Sequence, residues 1–126
     1  MNIVLIEDNE GDVYLFEDLL IDIGYKTESI TVLKDGERAI EFLSNNINLM
    51  IDLIFLDINL PKLNGHDILK ELKDDLHERN IPVVILSSSS NVRDMSLLEL
   101  PCVVKYILKP IDPQQLINTL KLFVKT

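Results

Sequence analysis

Four short apolar runs in this chain each lead directly into a polar residue. Asn2-Ile3-Val4-Leu5-Ile6-Glu7 runs into Asp8, Leu53-Ile54-Phe55-Leu56 into Asp57, Val83-Val84-Ile85-Leu86 into Ser87, and Val103-Val104-Lys105-Tyr106-Ile107-Leu108 into Lys109. Runs of this length, rich in β-branched residues and bounded by turn formers, read as strands covered on both faces, and such strands belong to parallel sheets. With a weaker run near Ser29–Leu33, the pattern predicts five strands, at roughly Ile3–Ile6, Ser29–Leu33, Leu53–Leu56, Val83–Leu86 and Val104–Leu108. Helical periodicity fills the intervals at roughly Gly11–Ile23, Gly36–Leu43, Gly65–Leu76, Val92–Leu100 and Pro113–Phe123. Strict alternation of strand and helix implies right-handed crossovers and helices on both faces, an α/β doubly wound (βα)5 sandwich. Helix punctuation agrees: Gly24 follows the first helix, Ser90 or Asn91 can cap the fourth, and Asp112-Pro113 supplies a cap and a first-turn proline for the fifth.

At 126 residues the chain fits one domain, expected to span residues 1–126 with no room for an output domain. Twelve basic against 21 acidic residues give a net charge of −9, which opposes binding to nucleic acid or to anionic lipid. Cys102 is the single cysteine, so no internal disulfide can form, and a reducing, cytoplasmic setting is the natural reading. Its thiol reads as a small core group rather than a nucleophile. The apolar start lacks a basic leader and meets Glu7 at once, and no uncharged apolar run approaches the ~18 residues of a membrane span. His66 and His77 have no metal-ligand spacing and read as solvated helix positions.

In an open parallel sheet, ligands bind outside the carboxyl ends of the strands, which is where Asp8, Asp57, Ser87 and Lys109 fall. For Asp8 and Asp57 to share a cation, the first and third strands must be neighbours, giving a five-stranded sheet of order 2-1-3-4-5 with its crevice between strands one and three. Three carboxylates there, Glu7, Asp8 and Asp57, either hold protons or bind a cation, and hard oxygen donors suit Mg²⁺. The bland alternative for Glu7-Asp8 alone is a solvated acidic turn, and for Asp57 a turn cap beside Pro61 and Gly65. A strand-end carboxylate beside a metal can attack phosphorus, so Asp57 is the candidate nucleophile. The Asn59 carbonyl is placed to reach the metal, the Lys109 ammonium to pair with a phosphoryl oxygen, and the Ser87 hydroxyl to donate to it. Pro110 can fix the direction of Lys109, especially through a cis bond.

The combination Glu7-Asp8, Asp57, Ser87 and Lys109-Pro110, spread over the whole chain, resembles the receiver domain of two-component response regulators, a flavodoxin-like fold. The opening Val4-Leu5-Ile6-Glu7-Asp8-Asn9-Glu10-Gly11-Asp12 together with Asp57-Ile58-Asn59-Leu60-Pro61 is similar to the stand-alone receivers associated with phytochrome-type and related histidine kinases. The resemblance implies that Asp57 accepts a phosphoryl group from a kinase phosphohistidine. It also implies that Asp8 ligates Mg²⁺ directly, Glu7 through water and Asn59 through its carbonyl, with Lys109 and Ser87 assisting and Ser87 and Tyr106 forming a hydroxyl–aromatic switch pair. Such a protein assists its own phosphorylation and dephosphorylation and is not a turnover enzyme. Its implied partners are a sensor histidine kinase, a downstream phosphotransfer or effector protein, and a second copy docked through the fourth helix, fifth strand and fifth helix. Two departures stand out: Pro101-Cys102 replaces a Gly-Ala pair common before the fifth strand, and Ser87 replaces the commoner threonine.

Angular placement at 100° per residue puts Val13, Leu15, Phe16, Leu19, Leu20 and Ile23 on one stripe of the first helix, with Tyr14 and Ile21 opposite as a candidate kinase-docking patch. Three other readings compete. A haloacid-dehalogenase-type phosphatase wants a second acid two residues after the nucleophile, where Asn59 stands. A flavin carrier wants a phosphate loop where Glu7-Asp8 would repel one. A phosphorylation-independent pseudo-receiver would have no use for the retained acids and lysine.

Overall fold

The structure is a computed structural model that describes residues 2–60, 62–88 and 96–123. Five parallel strands, β1 (Ile3–Ile6), β2 (Ile30–Leu33), β3 (Leu53–Asp57), β4 (Val83–Ser87) and β5 (Val103–Leu108), form one sheet of order β2-β1-β3-β4-β5. Four α-helices are described, α1 (Glu10–Asp22), α2 (Gly36–Asn45), α3 (Gly65–Glu78) and α4 (Pro113–Phe123), with 3-10 turns at Thr27–Ser29 and Ser96–Glu99. The predicted α/β fold, strand order and parallel sense are those observed.

One expected element differs. The fourth predicted helix, Val92–Leu100, falls partly outside the described residues, as do the candidate caps Ser90 and Asn91. Its described end is a 3-10 turn, Ser96–Glu99. Leu100 N–H donates to the Leu97 carbonyl at 3.1 Å and Val103 N–H to the Leu100 carbonyl at 3.0 Å, tight closures that carry the chain past Pro101 into β5. Pro101 disfavours α conformation in the residue before it, which limits any helix there.

Alternation along the strands sorts the core into two layers. Val4, Ile6, Ile54, Leu56, Val83 and Ile85 pack beneath α2 and α3 on one face. Ile3, Leu5, Leu53, Phe55, Val84 and Leu86 pack beneath α1 and α4 on the other, where the Phe16 and Phe55 rings meet edge to face with centroids 4.7 Å apart. Continuing that period, Glu7 after Leu5 and Asp57 after Phe55 both turn toward the α1/α4 side. Ile6 pairs with Leu56, so Glu7 and Asp57 are the next residues on adjacent strands.

β5 obeys the same rule only after a correction. Val83 pairs with Val103 but Val84 pairs with Lys105, so Val104 is an extra, unpaired residue. A one-residue bulge exchanges the faces of everything that follows. It moves Ile107 into the α1/α4 layer and aims Lys109 at Glu7 and Asp57, while Tyr106 packs against the α2/α3 layer.

The loop after β3 is held by close backbone approach at Gly65. A Cβ there would lie 2.6 Å from Ile58 Cα, and the Gly65 N–H donates to the Ile58 carbonyl at 3.1 Å. No side chain fits without moving the strand end that carries Asp57. On α1, Val13, Phe16 and Leu20 are buried as expected and Tyr14 and Ile21 are exposed, but Leu15 is 62% exposed. It borders an opening between α1 and the Pro110–Pro113 segment, which no element among the described residues fills.

Candidate functional site

Glu7, Asp8 and Asp57 meet at the carboxyl edge of β1 and β3, with one ligand oxygen from each lying within 4.8 Å of the others. Glu7 and Asp57 are buried, at 1% and 3% exposure, and Asp8 is exposed at the rim. Each buried carboxyl is held at both oxygens. Glu7 Oε2 accepts from the N–H groups of Asp8 at 3.1 Å and Asn9 at 3.5 Å, and Asp57 Oδ1 accepts from the Asn59 N–H at 2.9 Å. The remaining oxygens face Lys109, whose ammonium donates to Glu7 Oε1 and, at 3.3 Å, to Asp57 Oδ2. The Lys109–Pro110 bond is cis.

Ser87 lies on the other face, fully buried, with its Oγ 3.5 Å from the Asn59 side-chain amide. Tyr106 is half-buried and pairs in register with Ile85, two residues before Ser87 on the same face. Asn59 is exposed and spans from the Asp57 carboxyl to the Ser87 hydroxyl. Pro61 lies outside the described residues.

A fourth carboxylate joins the group without having been singled out in the sequence. Asp12, in the first turn of α1, accepts from Lys109 Nζ at 3.0 Å. Its signal was its place in that turn, shortly after the acidic pair, but the meeting depends on β5 returning beside α1.

Burial pushes the Glu7 carboxyl up to about 8, and the neighbouring Asp57 adds to the push against the opposing pull of Lys109. Burial alone would lower the Lys109 ammonium, but its hydrogen bonds to Glu7 and Asp12 outweigh this and hold it above its ordinary value, so it stays charged. Four carboxyl groups against one ammonium leave the site short of positive charge. Hard oxygen donors this close together fit a divalent cation such as Mg²⁺, with Glu7, Asp8 and Asp57 to hold it.

A pH dependence follows. In metal-free protein, folded Glu7 keeps its proton up to about 8 while the unfolded carboxyl loses it near 4.5. The folded state therefore binds more protons in that window, and the Glu7 contribution to stability, complete below 4.5, is expected to fall by a few kcal/mol as pH rises to about 8. Urea unfolding across this range should show the decline, and saturating Mg²⁺ should flatten it.

This sheet, with acids, one lysine and a buried hydroxyl at its carboxyl edge, defines a receiver-type signalling domain rather than a flavin carrier. The family profile described as "Response regulator receiver domain" matches residues 3–121, and the chain belongs to that family. It is 32% identical over 123 residues to the polar-differentiation response regulator DivK of Brucella anthropi, covering 98% of this chain and 95% of the relative, and equally to DivK of Brucella ovis. Among solved structures it resembles a two-component response regulator from Legionella pneumophila, with a TM-score of 0.83 and 30% identity, covering 97% of this chain and 96% of that one. A response regulator from Cytophaga hutchinsonii gives a TM-score of 0.81 at 26% identity, covering 96% and 94%. Receiver domains are signalling proteins of two-component systems that work with histidine kinases and downstream effectors. No helix among the described residues is long and apolar enough to cross a membrane.

Proposed function

We propose that the chain is a stand-alone, cytoplasmic receiver that takes a phosphoryl group onto Asp57 from the phosphohistidine of a sensor histidine kinase. The observation that carries this reading is the Asp57 carboxyl at the end of β3, within 4.8 Å of two other carboxylates and 3.3 Å from the Lys109 ammonium. In the transfer, an Asp57 oxygen forms the new O–P bond as the P–N bond to the kinase imidazole breaks, and the electron pair leaves with the imidazole nitrogen. Lys109 pairs with a phosphoryl oxygen, and the Asn59 N–H holds the other Asp57 oxygen in line. Glu7, Asp8, Asp57 and the Asn59 carbonyl would hold Mg²⁺, which when bound would supply positive charge to offset the crowded oxygens. Ser87 and Tyr106 form the switch pair on the α2/α3 face, through which the phosphorylated state shifts a conformational equilibrium and partner affinity.

The stand-alone reading is supported by relatives of which the match spans 95%. The phytochrome-type kinase is supported by the resemblance of the Val4–Asp12 and Asp57–Pro61 segments to that group of receivers, and a second copy through β5 and α4 by the exposed Val104 and Leu108 on that edge. Kinase docking falls on α1, where Tyr14 is 72% and Ile21 47% exposed. Tyr14→Asp is expected to slow transfer from the cognate kinase about tenfold while leaving labelling by acetyl phosphate unchanged. Equal loss in both assays would remove the docking surface.

The function is tested by incubating the chain with labelled acetyl phosphate with and without Mg²⁺. Incorporation that requires the metal and is lost with a chelator is expected. No incorporation with Mg²⁺ present, or sustained turnover of phosphoester substrates, would overturn the reading.

A further inference from the structure

Among the described residues the Asn-x-x-Asp helix start occurs twice, at Asn9–Asp12 and Asn64–Asp67, and the two copies behave differently. At α3, Asn64 caps the helix by accepting from the Asp67 N–H at 3.0 Å, and the Asp67 carboxylate reaches back to accept from the Asn64 N–H at 3.3 Å, closing a reciprocal box. At α1, Asn9 likewise accepts from the Asp12 N–H at 2.9 Å. Here the Asn9 N–H goes to Glu7 Oε2, and the Asp12 carboxylate turns outward to Lys109 Nζ. The acid that would ordinarily finish the helix cap is spent on the lysine.

Asp12 also differs from the other two carboxylates on Lys109. Glu7 and Asp57 belong to the cluster that would hold a cation; Asp12 does not. Its side chain is 40% exposed against 16% for Lys109, so it grips the ammonium from the solvent side of the site.

From this arrangement, and resting on the function proposed above, we propose that Asp12 is a positioning residue that competes with the phosphoryl group for the Lys109 ammonium and thereby loosens the phosphorylated centre. While Asp57 is bare, one ammonium serves three carboxylates. Once Asp57 carries a phosphoryl group, Lys109 must pair with its oxygens, and every fraction of the ammonium kept by Asp12 is withdrawn from them. Asp12 therefore raises the rate at which water attacks the phosphorus and breaks its bond to the Asp57 oxygen, releasing inorganic phosphate and the free carboxylate, and it lowers affinity for phosphoryl mimics.

The probe is beryllofluoride, whose tetrahedral beryllium bonds to the Asp57 oxygen in place of phosphorus, bound in saturating Mg²⁺ and followed by fluorine resonance. Asp12→Asn, which keeps the shape and the helix start, is expected to tighten beryllofluoride about three- to tenfold, and Asp12→Glu to return it toward the native value. The gain should disappear in a Lys109→Met background, because the competition runs through that ammonium. In metal-free protein, the Lys109 ammonium resonance should move on Asp12→Asn, which a role confined to helix capping would not produce. Unchanged or weaker beryllofluoride binding in Asp12→Asn, or a gain that persists without Lys109, overturns the proposal. Failure of the native chain to bind beryllofluoride at all overturns the function reading and this inference with it, whereas native binding indifferent to Asp12→Asn overturns this inference alone.

Discussion

Asp57→Asn is expected to reduce phosphoryl incorporation from acetyl phosphate to background, a loss of at least about a hundredfold, because a carboxamide offers no anionic oxygen to attack phosphorus. The side chain is 96% covered, so shape matters as much as charge. The amide keeps the volume and can keep an oxygen on the Asn59 N–H, which holds Asp57 Oδ1 at 2.9 Å in the native chain. The fold should therefore survive, and urea unfolding separates loss of chemistry from loss of structure. One consequence runs opposite to the usual cost of a core substitution. Asp57 adds to the burial that raises Glu7, so removing its charge should bring Glu7 back toward its ordinary value and make metal-free protein less sensitive to pH between 4.5 and about 8. Label persisting in the variant would place the acceptor on another residue.

The fold was legible because each buried strand was marked twice, by its β-branched run and by the polar residue that ended it. Leu53–Asp57 and Val83–Ser87 differ from expectation only by including that final residue, and α4 begins where the Asp112-Pro113 signal puts it. The strand order followed from requiring Asp8 and Asp57 to share a cation, and the structure brings Glu7, Asp8 and Asp57 together at that edge. What escaped was information that one strand or helix does not carry alone. Val103 and Val104 look equivalent in sequence, yet only Val104 is the bulged residue that fixes which face Lys109 occupies. Leu15 belongs to the apolar stripe of α1 by angle, but the stripe is wider than the surface available to cover it. Asp12 reads as an ordinary first-turn acid until β5 brings Lys109 within reach.

The bulge explains why the lysine is costly to replace. Lys109→Met keeps most of the stem that packs beside α1 but removes the only cation described among these carboxylates, and two losses are expected. Phosphoryl transfer should slow by about 10²–10³-fold, the effect of deleting one charged donor aimed at developing oxygen charge in a site shielded from water. Stability should also change, with a sign fixed by pH. Breaking a buried ion pair costs about 3–5 kcal/mol when the partner must remain charged. Glu7 escapes much of that cost by holding its proton, since it already does so up to about 8 with Lys109 present, and without the pull of Lys109 it holds it higher still. Near about pH 6 the variant should therefore lose chiefly what unpairing the buried Asp57 costs, and progressively more as pH rises past the native value for Glu7. Mg²⁺ should restore much of the stability without restoring the transfer rate, because a cation among Glu7, Asp8 and Asp57 would answer the crowding of the acids but would not replace an ammonium on the phosphoryl oxygen. Urea unfolding of the native chain and the variant at two pH values, each with and without Mg²⁺, separates these effects. A uniform loss at every pH that Mg²⁺ leaves unchanged would mean that Lys109 serves as packing and not as the counter-charge of Glu7 and Asp57.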